Sequence, residues 1–421
     1  MNKSIFLFTK KFPYGKQEAY LFDELPFLIK EFKKVYIIPY DEYDYKDEEN
    51  RLSHESGIEI IKINSLTKTL SWQKKIVREF AILKVLYTEL LFSRERKKHL
   101  TTIKSILAQL RNLYTNHLAL LDFIQTNIKD SDQIIAYNYW LHRGVIIAYW
   151  LKRKSTKKVT IISRAHSLDL YHKSWNNFLK FKIPLFLPFE FFKIKYIDKI
   201  FSISTHGYNH FLSLFPKYKS KFEIARLGVF DNMNSIQGKA NNIKIIVTCS
   251  GIDKNKRIYL MPIILSKLNI DFKWIHFGWG DNKDIEQLQF EINKYHLQNK
   301  CELKGYTPHH EVIEFYKNNN VDLFCNLSTA EGIPVSLMEA ASFGIPMVAT
   351  NTVGNPEIVN NENGFLIDID FNTDELSALL NNYFDNTELI QRKREAARNT
   401  FLETYNAKKN YTQFAKQLSS L

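Results

Sequence analysis

Cysteine is scarce in this chain, with three in 421 residues. Cys249, Cys301 and Cys325 are odd in number and widely spaced, and two lie in apolar, strand-like runs. That excludes a disulfide framework and a cysteine metal site, and reads as reduced core thiols. Long apolar runs are missing too: none approaches the ~20 residues of a spanning helix. The opening "MNKSIFLFTKKFPYG" lacks the apolar h-region and small-residue cleavage site of a secretory signal, so a cytoplasmic protein is expected. There is no G-x-G-x-x-G after the first strand and no G-x-x-x-x-G-K-[ST], which removes support for dinucleotide and P-loop chemistry. The G-x-G of "FGWGDNK" is too short a pattern to replace them. "DID" at Asp368 to Asp370 follows the apolar "GFLI" and reads as a strand end, and the acidic "DEYDYKDEEN" reads as a solvated loop. No metal is expected from either. Acid is also in short supply relative to base, 45 residues against 58, a formal charge of +13.

What is present describes a globular protein. Hydrophobic content of 45% and charged content of 24% do not favour disorder, and 421 residues suffice for two domains with full cores. Much of the excess base lies in Lys74 to Leu100 and Asn177 to Ile200, interleaved with Phe, Tyr and Leu. Such a mixture suits a peripheral surface facing anionic lipid. Amphipathic core helices with solvated lysine faces fit the same residues. Nucleic acid would attract the charge, but no recognition module accompanies it, and no nucleic-acid partner is expected.

Short β-rich runs recur along the chain: "SIFLFT", "KVYIIPY", "IEIIKI", "QIIAYNY", "VTIISRAH" and "KIFSIS", mostly separated by helix-length segments. After the turn-rich connector "FDNMNSIQGKANN" a second series follows, "IKIIVTCS", "FKWIHFG", "CELKGY", "VDLFCNLS", "PMVAT" and "GFLIDI". The alternation predicts two doubly wound parallel sheets and an α/β protein with a cleft between them. Residues 1–230 form the first domain, 231–242 a linker and 243–400 the second domain. A helical segment, 401–421, has no strand after it and is free to pack back on the first domain.

The segment "STAEGIPVSLMEAASFGIPMVAT" carries Glu331 and Glu339, eight positions apart among small and apolar residues. It connects two strands and should contain a helix, with Pro334 at the first helical position and Gly344 ending it. Glu331 then precedes the helix, Glu339 lies inside it, and both can face the C-terminal edge of the sheet. Free amides around Gly332 and Ile333 form a phosphate-sized anion site there. A carboxylate repels phosphate, so the acids suit neutral hydroxyls, of a sugar and of a ribose. A solvated loop glutamate and a surface helix glutamate remain the alternative.

Extended outward, "STAEGIPVSLMEAASFGIPMVATNTVGNPEIVNNENGFLI" resembles the E-x7-E donor-site signature of family 4 retaining glycosyltransferases, which have the GT-B fold of two facing Rossmann-like domains. "ARLGVFD", "IVTCSGIDKNKRIYLMPIIL", "WIHFGWGD" and "LKGYTPHHEVIEFYKNNNVDLF" continue the resemblance through the C-terminal half. "FPYGKQEAYLFDEL", "YNYWL", "SRAHSLDLY" and "FSIS" extend it more loosely into the N-terminal half. The resemblance implies that Glu339 holds the ribose and Glu331 contacts the donor sugar. It implies Lys256 on the diphosphate with the amides near Gly332, Ile333 and Pro334, and Tyr306 framing the base. His166 would reach the donor sugar and Gly15 would bring backbone to the phosphates. Two departures are evident: Gly251 stands where relatives commonly have arginine, leaving Lys254 or Arg257 to replace it, and Gly15 stands alone where many relatives have two glycines.

The implied activity is hexosyl transfer, with retention, from a UDP- or GDP-linked sugar to a hydroxyl of a glycan or lipid-linked acceptor. The donor is a substrate, and no cofactor or metal is implied: cations and helix amides stabilise the leaving diphosphate. The implied setting is bacterial surface polysaccharide assembly, cytoplasmic and peripheral at the inner face of an anionic membrane. An idle sugar-nucleotide-binding subunit or a GT-B epimerase is the alternative, but Glu331 and Lys256 are both present and no acid–base pair for epimerisation is evident.

Overall fold

The computed structural model describes residues 3–14, 18, 20–40, 50–52, 56–63, 70–92, 103–128, 133–166, 169, 189–233 and 243–421. They divide into two compact units, Met1–Ala225 with Tyr411–Leu421, and Arg226–Asn410. The contact boundary falls a few residues before residue 230 for a local reason. Val229 bridges Asn406, Asn410 Nδ2 donates to the Leu227 carbonyl at 2.8 Å, and a Cβ on Gly228 would lie 2.6 Å from the Ala407 amide. The chain from 226 to 229 is thereby fastened to 405–410.

The first unit holds β1 (Lys3–Thr9), β2 (Lys34–Pro39), β3 (Ile58–Ile60), β4 (Gln133–Asn138), β5 (Lys158–Ala165), β6 (Lys199–Ser202) and β7 (Phe222–Ile224). Its helices are α1 (Leu21–Glu31), α2 (Trp72–Phe92), α3 (Ile103–Asn127), α4 (Gly144–Lys154), α5 (Glu190–Tyr196) and α6 (Thr205–Leu214). The strands form one parallel sheet in the order β3-β2-β1-β4-β5-β6-β7. Every residue of β1 and β4 is buried, as a central parallel strand covered on both faces requires. The fully buried Arg164 organises one face: it pairs with Glu24 at 3.2 Å, donates to Tyr137 Oη at 2.9 Å and to the Ala225 carbonyl at 2.8 Å, and lies 4.0 Å from the Phe414 ring centroid. Burial raises the Glu24 pKa, with Arg164 opposing it. A buried charge without its partner is costly, so this network pins the end of β5.

The second unit holds β8 (Lys244–Cys249), β9 (Phe272–Phe277), β10 (Cys301–Gly305), β11 (Leu323–Asn326), β12 (Met347–Thr350) and β13 (Gly364–Ile367), parallel in the order β10-β9-β8-β11-β12-β13. Its helices are α7 (Met261–Leu265), α8 (Asn282–Lys294), α9 (His309–Asn318), α10 (Val335–Ser342), α11 (Thr373–Phe384) and α12 (Thr387–Thr400). The last helix, α13 (Ala407–Ser420), belongs to this unit up to Asn410 and to the first beyond it, where Phe414, Ala415 and Leu418 join the core of Ile5, Leu7 and Phe201.

The fold class is the expected one, α/β with two parallel, Rossmann-like domains of the GT-B type, and each predicted strand has a counterpart. The short β7 was not anticipated. Pro334 precedes the first turn of α10 with extended backbone instead of opening the helix. Gly344 closes α10 with φ +62°. Of the basic stretch Asn177 to Ile200, α5 turns Phe192, Lys193 and Ile194 inward, where Lys193 Nζ donates to the Leu141 carbonyl at 2.7 Å. Residues 177–188 lie outside the described residues. Among the described residues no helix is long and apolar enough to cross a membrane.

Candidate functional site

In the second sheet the strand order reverses between β8 and β11, and ligands of open parallel sheets bind beyond the strand ends at such a point. The loops that leave these two strands are latched together. Thr329 N donates to the Asn255 carbonyl at 2.8 Å, Thr329 Oγ1 to Asn255 Oδ1 at 2.7 Å, and Asn255 Nδ2 to the Ala330 carbonyl at 3.1 Å. The latch brings Lys256 Nζ into an ion pair with Glu331 Oε1. Ser328 Oγ donates to the same oxygen at 2.7 Å and Asn326 Nδ2 at 3.3 Å. An ammonium, a hydroxyl and an amide converge on that one oxygen and fix the carboxylate in direction. Lys256 has further donor capacity to give an incoming anion.

The neighbouring glycines explain how the loops fit. A Cβ on Gly354 would lie 1.9 Å from the Gly332 carbonyl oxygen and 2.9 Å from Ile333 Cα, so the turn after β12 rests directly on the Glu331 loop. The preceding residue, Val353, has φ +40°, an unfavourable conformation for a β-branched side chain, and such strain is found where a site constrains the backbone. Likewise Cβ atoms on Gly278 and Gly280 would meet the Ser250 and Ile252 carbonyls at 1.7 and 2.2 Å. The G-x-G of "FGWGDNK" is thus a zipper between the loops after β8 and β9.

Glu339 lies on α10, 5% exposed. Its Oε1 is 2.7 Å from His309 Nε2, at the start of α9. Two exposed aromatic residues stand at the same edge, Trp279 after β9 and Tyr306 after β10. Gly305, with φ +67°, lets the chain turn beside the Trp279 ring. Arg257 is directed elsewhere: Nε donates to the Leu327 carbonyl and one terminal nitrogen to Ile369, both at 2.7 Å, making it a strut under the β11 loop. Lys254 is exposed on the loop surface. The structure therefore brings Lys256, Glu331, Gly332, Ile333 and Pro334 together, sets Glu339 with His309, and leaves Lys254 outside this set.

The first sheet reverses between β1 and β4, and its loops are joined by Glu18. The Glu18 carboxylate accepts the amides of Lys10, Lys11 and Phe12 at 2.9–3.0 Å and Trp140 Nε1 at 2.7 Å. His166, at the end of β5, packs its ring against Tyr139 at 4.7 Å and Trp140 at 4.4 Å. Burial, and then the Arg164 guanidinium, push its pKa down to about 3, so the imidazole is neutral near pH 7. Its Nε2 is buried without a hydrogen-bond partner among the described residues. Gly15 lies outside the described residues. Sequence reasoning missed Trp279, His309, Gly354 and Glu18; only glycines in loops after strands hinted at one of them.

Residues 230–400 match the family model described as glycosyl transferases group 1. The chain is 24% identical over 213 residues to the amylovoran biosynthesis glycosyltransferase AmsD of Erwinia amylovora, covering 48% of this chain and 56% of that protein. It is 34% identical over 108 residues to the putative colanic acid biosynthesis glycosyltransferase WcaL of Escherichia coli K12, covering 24% of this chain and 26% of that protein. The matches thus span about half or less of these curated relatives. Among solved structures, Anabaena Alr3699/HepE in complex with UDP superposes with a TM-score of 0.69 at 14% identity, over 100% of each chain. That likeness shows the fold.

Proposed function

We propose that this chain is a retaining hexosyltransferase of the family 4 type. It would move a sugar from a UDP- or GDP-linked donor to a hydroxyl of a glycan or lipid-linked acceptor, at the inner face of a membrane, in surface polysaccharide synthesis. The carrying observation is the Lys256–Glu331 pair at the β8/β11 reversal, with Gly332 and Ile333 directly following Glu331 in the same loop. The names of the matched relatives, amylovoran and colanic acid glycosyltransferases, support the setting, and the UDP and UDP-glucose complexes of HepE support a nucleotide-sugar donor.

The chemical difficulty is the charge that grows on the diphosphate as the bond from its oxygen to the anomeric carbon breaks. Lys256 and the amides of Gly332 and Ile333 would meet that charge without a metal or cofactor. Glu331 orients Lys256 and accepts a donor-sugar hydroxyl, and Glu339 accepts the ribose hydroxyls. His166, neutral, offers Nε2 to a sugar hydroxyl. The acceptor oxygen attacks from the face the phosphate leaves, and its proton passes to the departing phosphate oxygen, so no carboxylate nucleophile is required. Loss of Lys256 or Glu331 would have favoured an idle binding subunit, and both are present.

A thermal-shift screen over nucleotide sugars tests the reading, since a donor that binds the folded state raises the melting temperature by mass action. A UDP- or GDP-sugar should shift it, and ultraviolet detection should then register nucleoside diphosphate release with acceptor extract. No shift with any nucleotide sugar would sink the proposal.

A further inference from the structure

The helix α2 presents a second, apolar face that stands exposed among the described residues. At about 100° per residue, Trp72, Ile76, Phe80, Leu83 and Tyr87 fall within an arc of about 80°, roughly 22 Å long. Trp72 is 76% exposed, Phe80 70% and Tyr87 67%. The opposite face is committed inward: Ile82, Val85 and Leu86 are buried, and Glu89 accepts the Phe192 amide at 2.8 Å. Exposed large apolar groups aligned on one helix cost solubility and mark an interaction surface.

We propose that this face of α2 docks on an anionic lipid surface, which extends the membrane location proposed above and rests on that reading for its purpose. Two observations select lipid over a second copy of the chain. Lys75 and Lys84 are exposed and flank the arc, about 100° and 80° from its centre, while the two acids of the helix are already used, Glu79 by Arg78 and Arg111 and Glu89 by the Phe192 amide. A second α2 would therefore bring lysines with no carboxylate of that helix to meet them, in a chain of formal charge +13. Trp, Phe and Tyr are also the side chains that settle at the headgroup level, with lysine stems reaching out to the phosphates.

Flotation of the full chain with vesicles tests this, using phosphatidylcholine alone and phosphatidylcholine mixed with phosphatidylglycerol. Binding should require phosphatidylglycerol and fall as salt rises, because the lysine attraction is screened. Phe80→Ser with Tyr87→Ser, and separately Lys75→Gln with Lys84→Gln, should each cut binding about tenfold or more. Both variants should keep the wild-type melting temperature and nucleotide-sugar shift. Wild-type protein that ignores anionic vesicles at low salt overturns the proposal, as does a dimer in light scattering that Phe80→Ser dissolves. Either result leaves the donor chemistry standing if the nucleotide-sugar shift persists, and absence of that shift with vesicle binding intact overturns the donor chemistry alone.

Discussion

His309 Nε2 and Glu339 Oε1 lie 2.7 Å apart, joining the first residue of α9 to the middle of α10 across the ends of the strands between them. With the carboxylate as acceptor, Nε2 carries the proton. The contact uses one Glu339 oxygen, and in the proposed function the other accepts the ribose hydroxyls. Glu339→Gln should raise the donor KM with little change in kcat. His309→Ala should raise it about three- to tenfold, the value of one hydrogen bond to a charged group. Donor titrations of the two variants check this, and wild-type KM in both would remove the nucleotide from this corner.

Lys256 is expected to dominate the side-chain charge at the leaving group. Lys256→Ala should lower kcat/KM about ten- to a hundredfold, since a charge-assisted hydrogen bond in a dry site contributes roughly 1.5–3 kcal/mol. Lys254→Ala should be near neutral, because the residue is exposed away from the pair. Arg257→Ala should instead lower the melting temperature, as its carbonyl acceptors at Leu327 and Ile369 lose their donor. Glu331→Ala should fall mainly in kcat. Equal, small losses at all three basic positions would indicate a diffuse basic loop.

Gly354→Ala tests whether loop spacing governs Glu331. The added methyl would meet the Gly332 carbonyl at 1.9 Å, and backbone cannot yield as a flexible side chain does. Overpacking of this kind costs about 1–3 kcal/mol, so folding should survive while the Glu331 loop moves. Turnover should drop about tenfold or more. Steady-state kinetics beside a urea melt separates the two effects, and unchanged turnover would free the loop from this contact.

The sheets were legible because buried parallel strands read as continuous apolar runs, and "SIFLFT" or "VTIISRAH" could hardly be anything else. The strand β7 was not: Phe222 to Ile224 follows the polar "PKYKSK" and is only three residues long. Of the site, the Glu331 loop was legible because two acids stood out among small and apolar residues. The partners that orient them were not. Ser328 is adjacent, but His309 is 30 positions from Glu339 and meets it only once β10 and β11 have been placed. Glu18 gave no local sign that it would accept three successive amides at the end of β1. The role of Arg257 went astray for a similar reason: next to Lys256 in sequence, it sits at φ +51° and points the other way.

Activity should survive prolonged chelation and dialysis if Lys256 and the amides of Gly332 and Ile333 neutralise the diphosphate. Asp368 and Asp370 follow β13, and among the described residues no three His, Cys, Asp or Glu side chains are grouped to hold an ion. Nucleoside diphosphate release before and after chelator checks it. Loss of activity restored by Mg²⁺ or Mn²⁺ would replace the amide-and-lysine account with metal catalysis.

His166 supplies a prediction with a definite sign. Its folded pKa is pushed down to about 3, whereas an unfolded histidine titrates near 6.5. Between those values the unfolded chain binds a proton that the folded chain refuses. The stability this side chain contributes is therefore full above pH 6.5 and is lost as pH falls toward 3, at up to about 1.4 kcal/mol per pH unit. His117 and His276, each pushed down to about 4 by burial, act in the same direction. Glu24, Asp169 and Asp322, whose pKa values burial raises, act in the opposite one. A comparison with His166→Gln cancels these shared contributions, since glutamine is a neutral side chain that does not titrate. The urea midpoint of the wild type should fall relative to the variant as pH is lowered from 7 to 4.5, and histidine NMR should find the His166 ring neutral across that range. Parallel midpoints, or a ring that titrates near 6.5, would mean that the His166 ring is solvated in the folded chain.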